Sequence, residues 1–168
     1  AGSDLVITIG SMSKLFWGGL RVGWARAHPD LVERLIALKG GEDLGTSVLA
    51  QVLAGRLLCR VEQARDERHA ILGEARRCVL DAVAALLPEW EPHVPAGGAS
   101  LWVRLPRVAA TAFAQRADRD GVRVLPGPTF SASDGFDDHL RIAFAGSNDV
   151  TLRGIELLAG TWAAFADG

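Results

Sequence analysis

Tyrosine is absent from this chain, and lysine nearly so. Of 18 basic residues only Lys14 and Lys39 are lysines, and the others are arginine. Cysteine is scarce too: Cys59 and Cys78 are too few to staple 168 residues as a disulfide scaffold. There is no excess of positive charge. A net charge of −2 leaves no sequence-wide basic field to hold nucleic acid. No apolar run approaches the roughly 20 residues that span a bilayer. No charged-then-apolar leader opens the sequence as given, so no membrane partner and a cytoplasmic location are expected. The four histidines, His28, His69, His93 and His139, form no pair at ligand spacing, so no metal site is expected. What is present in quantity is apolar side chain. At 49% hydrophobic and 23% charged, the composition excludes disorder and predicts a folded domain.

Leu5-Val6-Ile7-Thr8-Ile9 reads as a short buried strand. A parallel-type strand needs neighbours and none precedes it, so the chain is expected to be the C-terminal part of a longer protein. Gly10 ends that strand, and a Ser/Gly-rich loop from Ser11 to Gly19 follows. Arg21 to Ala25 reads as a second short strand. Pro29 opens a helix whose positive end Asp30 and Glu33 favour, and Gly40-Gly41 is expected to stop it. From Thr46 to about Leu87 no proline interrupts a helical apolar spacing, which predicts one very long helix or two in sequence. If that helix is continuous, Cys59 and Cys78 lie about 28 Å apart. Both read as buried, reduced thiols.

Pro88, Pro92 and Pro95 close the helical stretch. Ala99 to Leu105 then alternates, with Leu101, Val103 and Leu105 on one face and Ser100, Trp102 and Arg104 on the other. Val108 to Asp118 reads as a helix, and Val122–Leu125 and His139–Ala145 read as strands. Asn148 or Asp149 is placed to cap a last helix running to about Phe165. Trp90, Trp102 and Trp162 read as core or interface aromatics. Glu62 to His69 reads as a solvated helix face with pairs one turn apart.

The chemistry concentrates in Gly10-Ser11-Met12-Ser13-Lys14-Leu15-Phe16-Trp17-Gly18-Gly19-Leu20-Arg21-Val22-Gly23-Trp24. Two hydroxyls, one amine and one guanidinium share a glycine-loosened loop after an apolar strand. Hydroxyls and loop N–H groups cradle an anion, and an arginine binds it in two-pronged fashion. Lys14 is flanked by Met12, Leu15, Phe16 and Trp17. Apolar surroundings strip hydration from an ammonium ion and favour the neutral amine, a nucleophile. An amine beside a phosphate cradle is what a pyridoxal phosphate Schiff base requires.

The string Ser-x-Ser-Lys followed by Gly-Leu-Arg-x-Gly-Trp resembles the lysine segment of the fold-type-I pyridoxal-phosphate enzymes, the class I/II aminotransferase superfamily. The resemblance extends through His28-Pro29-Asp30-Leu31, Pro95-Ala96-Gly97-Gly98, Gly121 to Gly127 with Phe130, and Leu140-Arg141-Ile142-Ala143-Phe144-Ala145. Asp43-Leu44-Gly45-Thr46-Ser47 with Gln51 is similar to the same point in GntR/MocR-type transcription regulators, whose aminotransferase-like domain is a close relative.

The resemblance implies an α/β to α+β chain, the C-terminal part of a fold-type-I transferase. Residues 1–45 would end the large cofactor-binding domain, 46–87 would be a long interdomain helical segment, and 88–168 a small α+β domain. Lys14 would form the Schiff base and shuttle the proton. Ser11, Ser13 and Arg21 would bind the phosphate of pyridoxal 5'-phosphate. Arg141 would pair with the α-carboxylate of an amino acid. The resemblance further implies a homodimer in the full-length protein.

Two functions follow from it. The first is a regulator that senses an amino acid or pyridoxal phosphate, touching DNA only through a winged helix outside this chain. The second is an aminotransferase acting on an amino acid and a 2-oxo acid. The Asp-Leu-Gly-Thr-Ser segment leans toward the regulator. The family's ring-nitrogen aspartate, its stacking aromatic and its ring-oxygen tyrosine and asparagine lie before the lysine. This sequence would therefore hold only part of the cofactor site.

Overall fold

The computed structural model describes residues 6–43, 45–106, 108–133 and 135–166. They form two compact units, Ala1–His69 and Ala70–Gly168, and the division falls within one helix.

The first unit opens with a two-stranded antiparallel ribbon of β1 (Thr8–Ser11) and β2 (Gly23–Arg26), with Ile9 opposite Ala25 and Gly10 opposite Trp24. The strand expected at residues 5–9 is therefore displaced toward the lysine motif, and Leu5 lies outside the described residues. Nor is it buried: Ile9 is 79% exposed, and among the described residues the paired strands are exposed along most of their length. The expected loop from Ser11 to Gly19 instead holds one helical turn, α1 (Met12–Leu15), and a 3-10 turn at Gly18–Leu20.

Helix α2 (Pro29–Glu42) starts where the fixed φ of proline is pre-set for it. It does not stop at Gly40-Gly41. The chain leaves the helix at extended Asp43, whose N–H bonds the Lys39 carbonyl and whose carboxylate pairs with the Lys39 ammonium. The glycine with positive φ is Gly45 at +109°, further on.

The long helical stretch is two helices, α3 (Val48–Leu58) and α4 (Val61–Leu86). Ser47 caps α3 by accepting from the Ala50 N–H. The break falls at Cys59-Arg60, not at Gly55 or Gly73, and the Arg60 N–H closes a tight turn on the Leu57 carbonyl. The separation worked out for a continuous helix does not apply, and Cys59 is exposed where a buried thiol was expected. Along α4, Arg65 pairs with Glu62 and Gln63 with Glu67 on its solvated face.

The second unit is a four-stranded antiparallel sheet in the order β3-β4-β6-β5, backed by helices. The strands are β3 (Glu91–His93), β4 (Ser100–Arg104), β5 (Leu125–Pro126) and β6 (His139–Ala143). The strand at β3 has no counterpart in the sequence reading, and the one expected at Val122–Leu125 shrinks to Leu125–Pro126.

Leu101 and Val103 of β4 and Leu140 and Ile142 of β6 turn to one face and are buried. They meet Val79 and Val83 of α4, Phe113 and Ala117 of α5 (Ala110–Arg119), and Ile155, Leu158 and Trp162 of α6 (Asn148–Ala166). Each fully buried Leu, Ile, Val or Phe is worth about 1.5–3 kcal/mol relative to exposure. Trp90, Phe113 and Trp162 pack mutually edge-on with centroids 5.5 Å apart. The cap of α6 is Ser147, one residue before the expected Asn148 or Asp149, and its hydroxyl accepts from the Val150 N–H. Among the described residues no helix is long and apolar enough to cross a membrane.

Candidate active site

Lys14 rides on α1, and three contacts fix that turn. Ser11 is extended and its Oγ accepts from the Ser13 N–H at 3.2 Å, so the first hydroxyl of the motif starts the turn. The Met12 N–H bonds the Val22 carbonyl at 3.0 Å. The Met12 side chain is buried with Leu20 and Ala54, and Phe16, Val22 and Leu57 pack around them. Met12 thus anchors the turn while Lys14 is exposed. Among the described residues the expected apolar surrounding does not cover Lys14. Adjacent positions on a helical turn point about 100° apart, so sequence neighbours are not side-chain neighbours. Trp17, for instance, is 66% exposed and lies over Gly19, where a Cβ would fall 2.3 Å from the indole.

Arg21 sits between the buried Leu20 and the half-buried Val22 and points outward. Its backbone is left-handed, φ +50° and ψ +35°. A non-glycine residue there stores on the order of 1–3 kcal/mol, which surrounding structure must hold. The glycines beside the motif are fixed by close approach. A Cβ on Gly10 would lie 2.2 Å from the Trp24 indole, and one on Gly23 3.2 Å from the Gly10 carbonyl oxygen.

Two hydroxyls, a primary amine and a guanidinium therefore occupy eleven consecutive positions, Ser11 to Arg21. Among the described residues no carboxylate lies within ion-pair distance of Lys14 or Arg21. An unpaired guanidinium with hydroxyl donors suits a phosphate, and a free amine suits an aldehyde. The residues present fit pyridoxal phosphate. A cleft of about 510 Å³ opens in the same unit, lined by Met12, Trp24, Thr46 and Gln51 among others, and Lys14 is not in its wall.

Arg141 belongs to the second unit, on β6. It lies in the middle of an interior strand, opposite Trp102 of β4 on one side and Leu125 of β5 on the other. Its Nε donates to the Ser100 Oγ at 3.1 Å, and its Cζ lies 5.5 Å from the centroid of the Phe130 ring. It is half-buried, and among the described residues no carboxylate pairs with it. Among the described residues the terminal nitrogens of the guanidinium have no hydrogen-bond partner.

Ser100 and Phe130, which contact Arg141, Trp102 opposite it, and Phe136 and His139 packed on Trp102 are not singled out by the sequence as site residues. One signal for them was available. The period-2 alternation of Ala99–Leu105 and His139–Ala145 puts Ser100, Trp102, His139 and Arg141 on the face opposite the core.

Residues 1–155 match the family model described as aminotransferase class I and II. A 2-aminoadipate transaminase of Thermus thermophilus is 35% identical over 148 residues, covering 86% of this chain and 37% of that protein. An HTH-type transcriptional regulator of Bacillus subtilis, YdfD, is 30% identical over 155 residues, covering 86% of this chain and 31% of that protein. The solved α-aminoadipate aminotransferase LysN of Thermus thermophilus, complexed with N-(5'-phosphopyridoxyl)-L-leucine, superposes with a TM-score of 0.89 at 30% identity. That superposition covers 96% of this chain and 43% of LysN. The chain spans well under half the length of each of these relatives. It has the mixed helix–sheet build of part of the fold-type-I, pyridoxal-phosphate-dependent transferases, and it belongs to the class I and II aminotransferases.

Proposed function

We propose that this chain carries the lysine, phosphate-binding and carboxylate-binding positions of an aminotransferase. The full protein would move an amino group between an amino acid and a 2-oxo acid. The observation that carries the reading is the Ser11–Arg21 segment, where two hydroxyls accompany two cations that have no carboxylate partner among the described residues. When bound, pyridoxal phosphate supplies an aldehyde and an electron-accepting ring that acidifies the amino acid's α-carbon proton. Ser11, Ser13 and Arg21 would hold its phosphate. The Lys14 Nζ would hold the group through its aldehyde and, as the free amine once the amino acid's own amine has taken its place, would be the base that moves the α-proton. Arg141 grips the α-carboxylate through its terminal nitrogens and sets the orientation of the α-carbon.

Residues 1–45, 46–87 and 88–168 are read as the end of the large domain, the interdomain helical segment and the small domain. The full protein is read as a cytoplasmic homodimer.

A second reading has its own support in the 30% identity to the regulator YdfD. The same positions would then bind an amino acid or pyridoxal phosphate as an effector, and a DNA-binding domain outside this chain would respond. The deciding experiment uses the full-length, cofactor-loaded protein with a panel of amino acids and a 2-oxo acid, following amino transfer by proton NMR. Transfer is the expected result. Saturable amino-acid binding without transfer would refute turnover and leave the sensor reading.

A further inference from the structure

Arg141 sits on β6 directly across from Trp102, yet its side chain reaches past that residue. It leans along the sheet toward the position two residues earlier on β4, where its Nε donates to the Ser100 Oγ at 3.1 Å. Both residues are half-buried. The ring of Phe130 lies against the guanidinium, its centroid 5.5 Å from Cζ, and Phe130 is in turn edge-on to Trp102 at 5.7 Å. One hydrogen bond along an edge and one ring against a face restrain a planar group in both of the ways it can turn.

Ser100 is itself fixed. It opens β4 opposite Ala143, and the Phe144 N–H bonds the Ala99 carbonyl at 3.0 Å just before it. The Arg76 Nη1 donates to the Pro95 carbonyl at 2.6 Å, which ties the approach to this strand to α4. The hydroxyl is therefore carried on paired backbone, the kind of support that holds a side chain to a defined place.

The chemistry of the guanidinium gives the contact a meaning. It offers five N–H donors in one plane, one on Nε and four on the two Nη atoms. A carboxylate can take two parallel bonds along the edge that includes Nε, or along the end formed by the two Nη atoms. Ser100 engages Nε, so the first edge is taken and the second is presented. A hydroxyl suits this task. It accepts from the Nε–H without a charge of its own, and so leaves the positive charge for the ligand, which a carboxylate in its place would neutralise.

We propose that Ser100 is a positioning residue for Arg141: by holding Nε it presents the two terminal nitrogens as the edge that receives an amino acid's α-carboxylate. The inference rests on Arg141 as the carboxylate partner. Arginine has a long side chain with much rotamer freedom, and the freedom already removed by Ser100 and Phe130 is not lost again on binding. The gain is confined to the carboxylate. It is the same for every amino acid and nothing for an analogue that lacks one.

The test is calorimetric titration of the full-length, cofactor-loaded protein with leucine, alanine, aspartate and leucinol, the last carrying an alcohol in place of the carboxylate. Ser100→Ala is expected to weaken the three amino acids by about three- to tenfold, the range of one lost hydrogen bond, and to leave leucinol as it was. Ser100→Thr keeps the hydroxyl and suits a strand, so it should restore most of the loss. Unchanged affinity for the three amino acids in Ser100→Ala, or an equal loss for leucinol, overturns the positioning role. Arg141→Lys separates the two claims. If it weakens the amino acids while Ser100→Ala does not, the carboxylate site stands and the positioning role falls. If Arg141→Lys changes no amino-acid affinity, or wild type binds none of the three, the underlying site reading fails and the inference fails with it. A spectrum of wild type with isotope-labelled arginine gives a second readout. The Arg141 Nε–H resonance, identified by its loss in Arg141→Lys, should hold its place when leucine is added. A large downfield move would mean that the carboxylate takes Nε from Ser100, and would overturn the proposal.

Discussion

Replacing Arg141 by lysine keeps the positive charge and removes the geometry, so it isolates what the guanidinium contributes. In the structure that group is oriented by two neighbours, the Ser100 hydroxyl 3.1 Å from Nε and the Phe130 ring 5.5 Å from Cζ. Its two terminal nitrogens are left as a fork for a carboxylate. A lysine ammonium is a point charge and cannot reproduce the fork. The change removes one charge-assisted hydrogen bond, about 1.5–3 kcal/mol, and weakens a cation–π contact of about 0.5–1 kcal/mol. Together these give about 2–4 kcal/mol, or roughly 30- to 1,000-fold in affinity for an amino acid. The assay is a titration of the full-length, cofactor-loaded protein, following the cofactor's visible band. Cofactor affinity should hold, because its phosphate is assigned to Ser11, Ser13 and Arg21. Equal amino-acid affinities in the two proteins would remove Arg141 from the site. Loss of the cofactor along with the amino acid would give β6 a structural role instead. Ser100→Ala is the companion, expected to act in the same direction and more weakly.

The remaining predictions concern the lysine turn and the core. Borohydride reduction of the cofactor-loaded protein should leave the phosphopyridoxyl mass on the peptide holding Lys14, and Lys14→Ala should lose it; label on Lys39 alone would refute the assignment. Phe113 is fully buried and edge-on to Trp90, Trp162 and Phe165. Phe113→Ala should cost about 3–5 kcal/mol, read as a lower urea midpoint, and an unchanged midpoint would contradict this core. Asp120 is held below the usual carboxylate range by the Thr161 hydroxyl and then by Arg116. A depressed folded value means its contribution is complete above the ordinary carboxylate range and is lost as pH falls through it. Thr161→Val should therefore flatten the loss of stability between about pH 5 and about pH 3, and an identical slope in the two proteins would refute that coupling. Gly127→Ala drives a Cβ onto the Phe136 carbonyl oxygen, so it should lower thermal stability more than Gly18→Ala, where a Cβ meets nothing within 4 Å.

The sequence is most legible where one face of an element is fully covered. Leu101, Val103 and Leu105 alternate because the helices bury one side of the sheet, and each of them is 1% exposed or less. The proline at the start of α2 is equally local and equally readable. Elsewhere the deciding contact is distant or specific. Nothing in Gly40-Gly41 announces that the helix runs past them to Glu42 and leaves at extended Asp43. Nothing near Cys59 marks a break that falls four residues after Gly55. The lysine motif is legible as chemistry because its residue types and order are so specific. Its local shape is not, because Met12 turns inward through a bond to Val22 and a cluster with Ala54, ten and 42 positions away in the chain. The cluster at Trp102 depends on a loop that brings Phe136 beside a residue 34 positions earlier, and no short-range pattern encodes that.

The alternation within β4 and β6 has a consequence for how such a protein can change over generations. Leu101, Val103, Leu140 and Ile142 answer to the stability of the unit, and Ser100, Trp102, His139 and Arg141 face the other way. Substitutions at the second set touch little of the buried packing. New recognition properties can therefore accumulate on the outer face without eroding the few kcal/mol by which a domain of this size stays folded. Selection can act on the two sets almost independently. A single two-residue repeat thus separates the side chains that hold the unit together from those placed to meet a ligand.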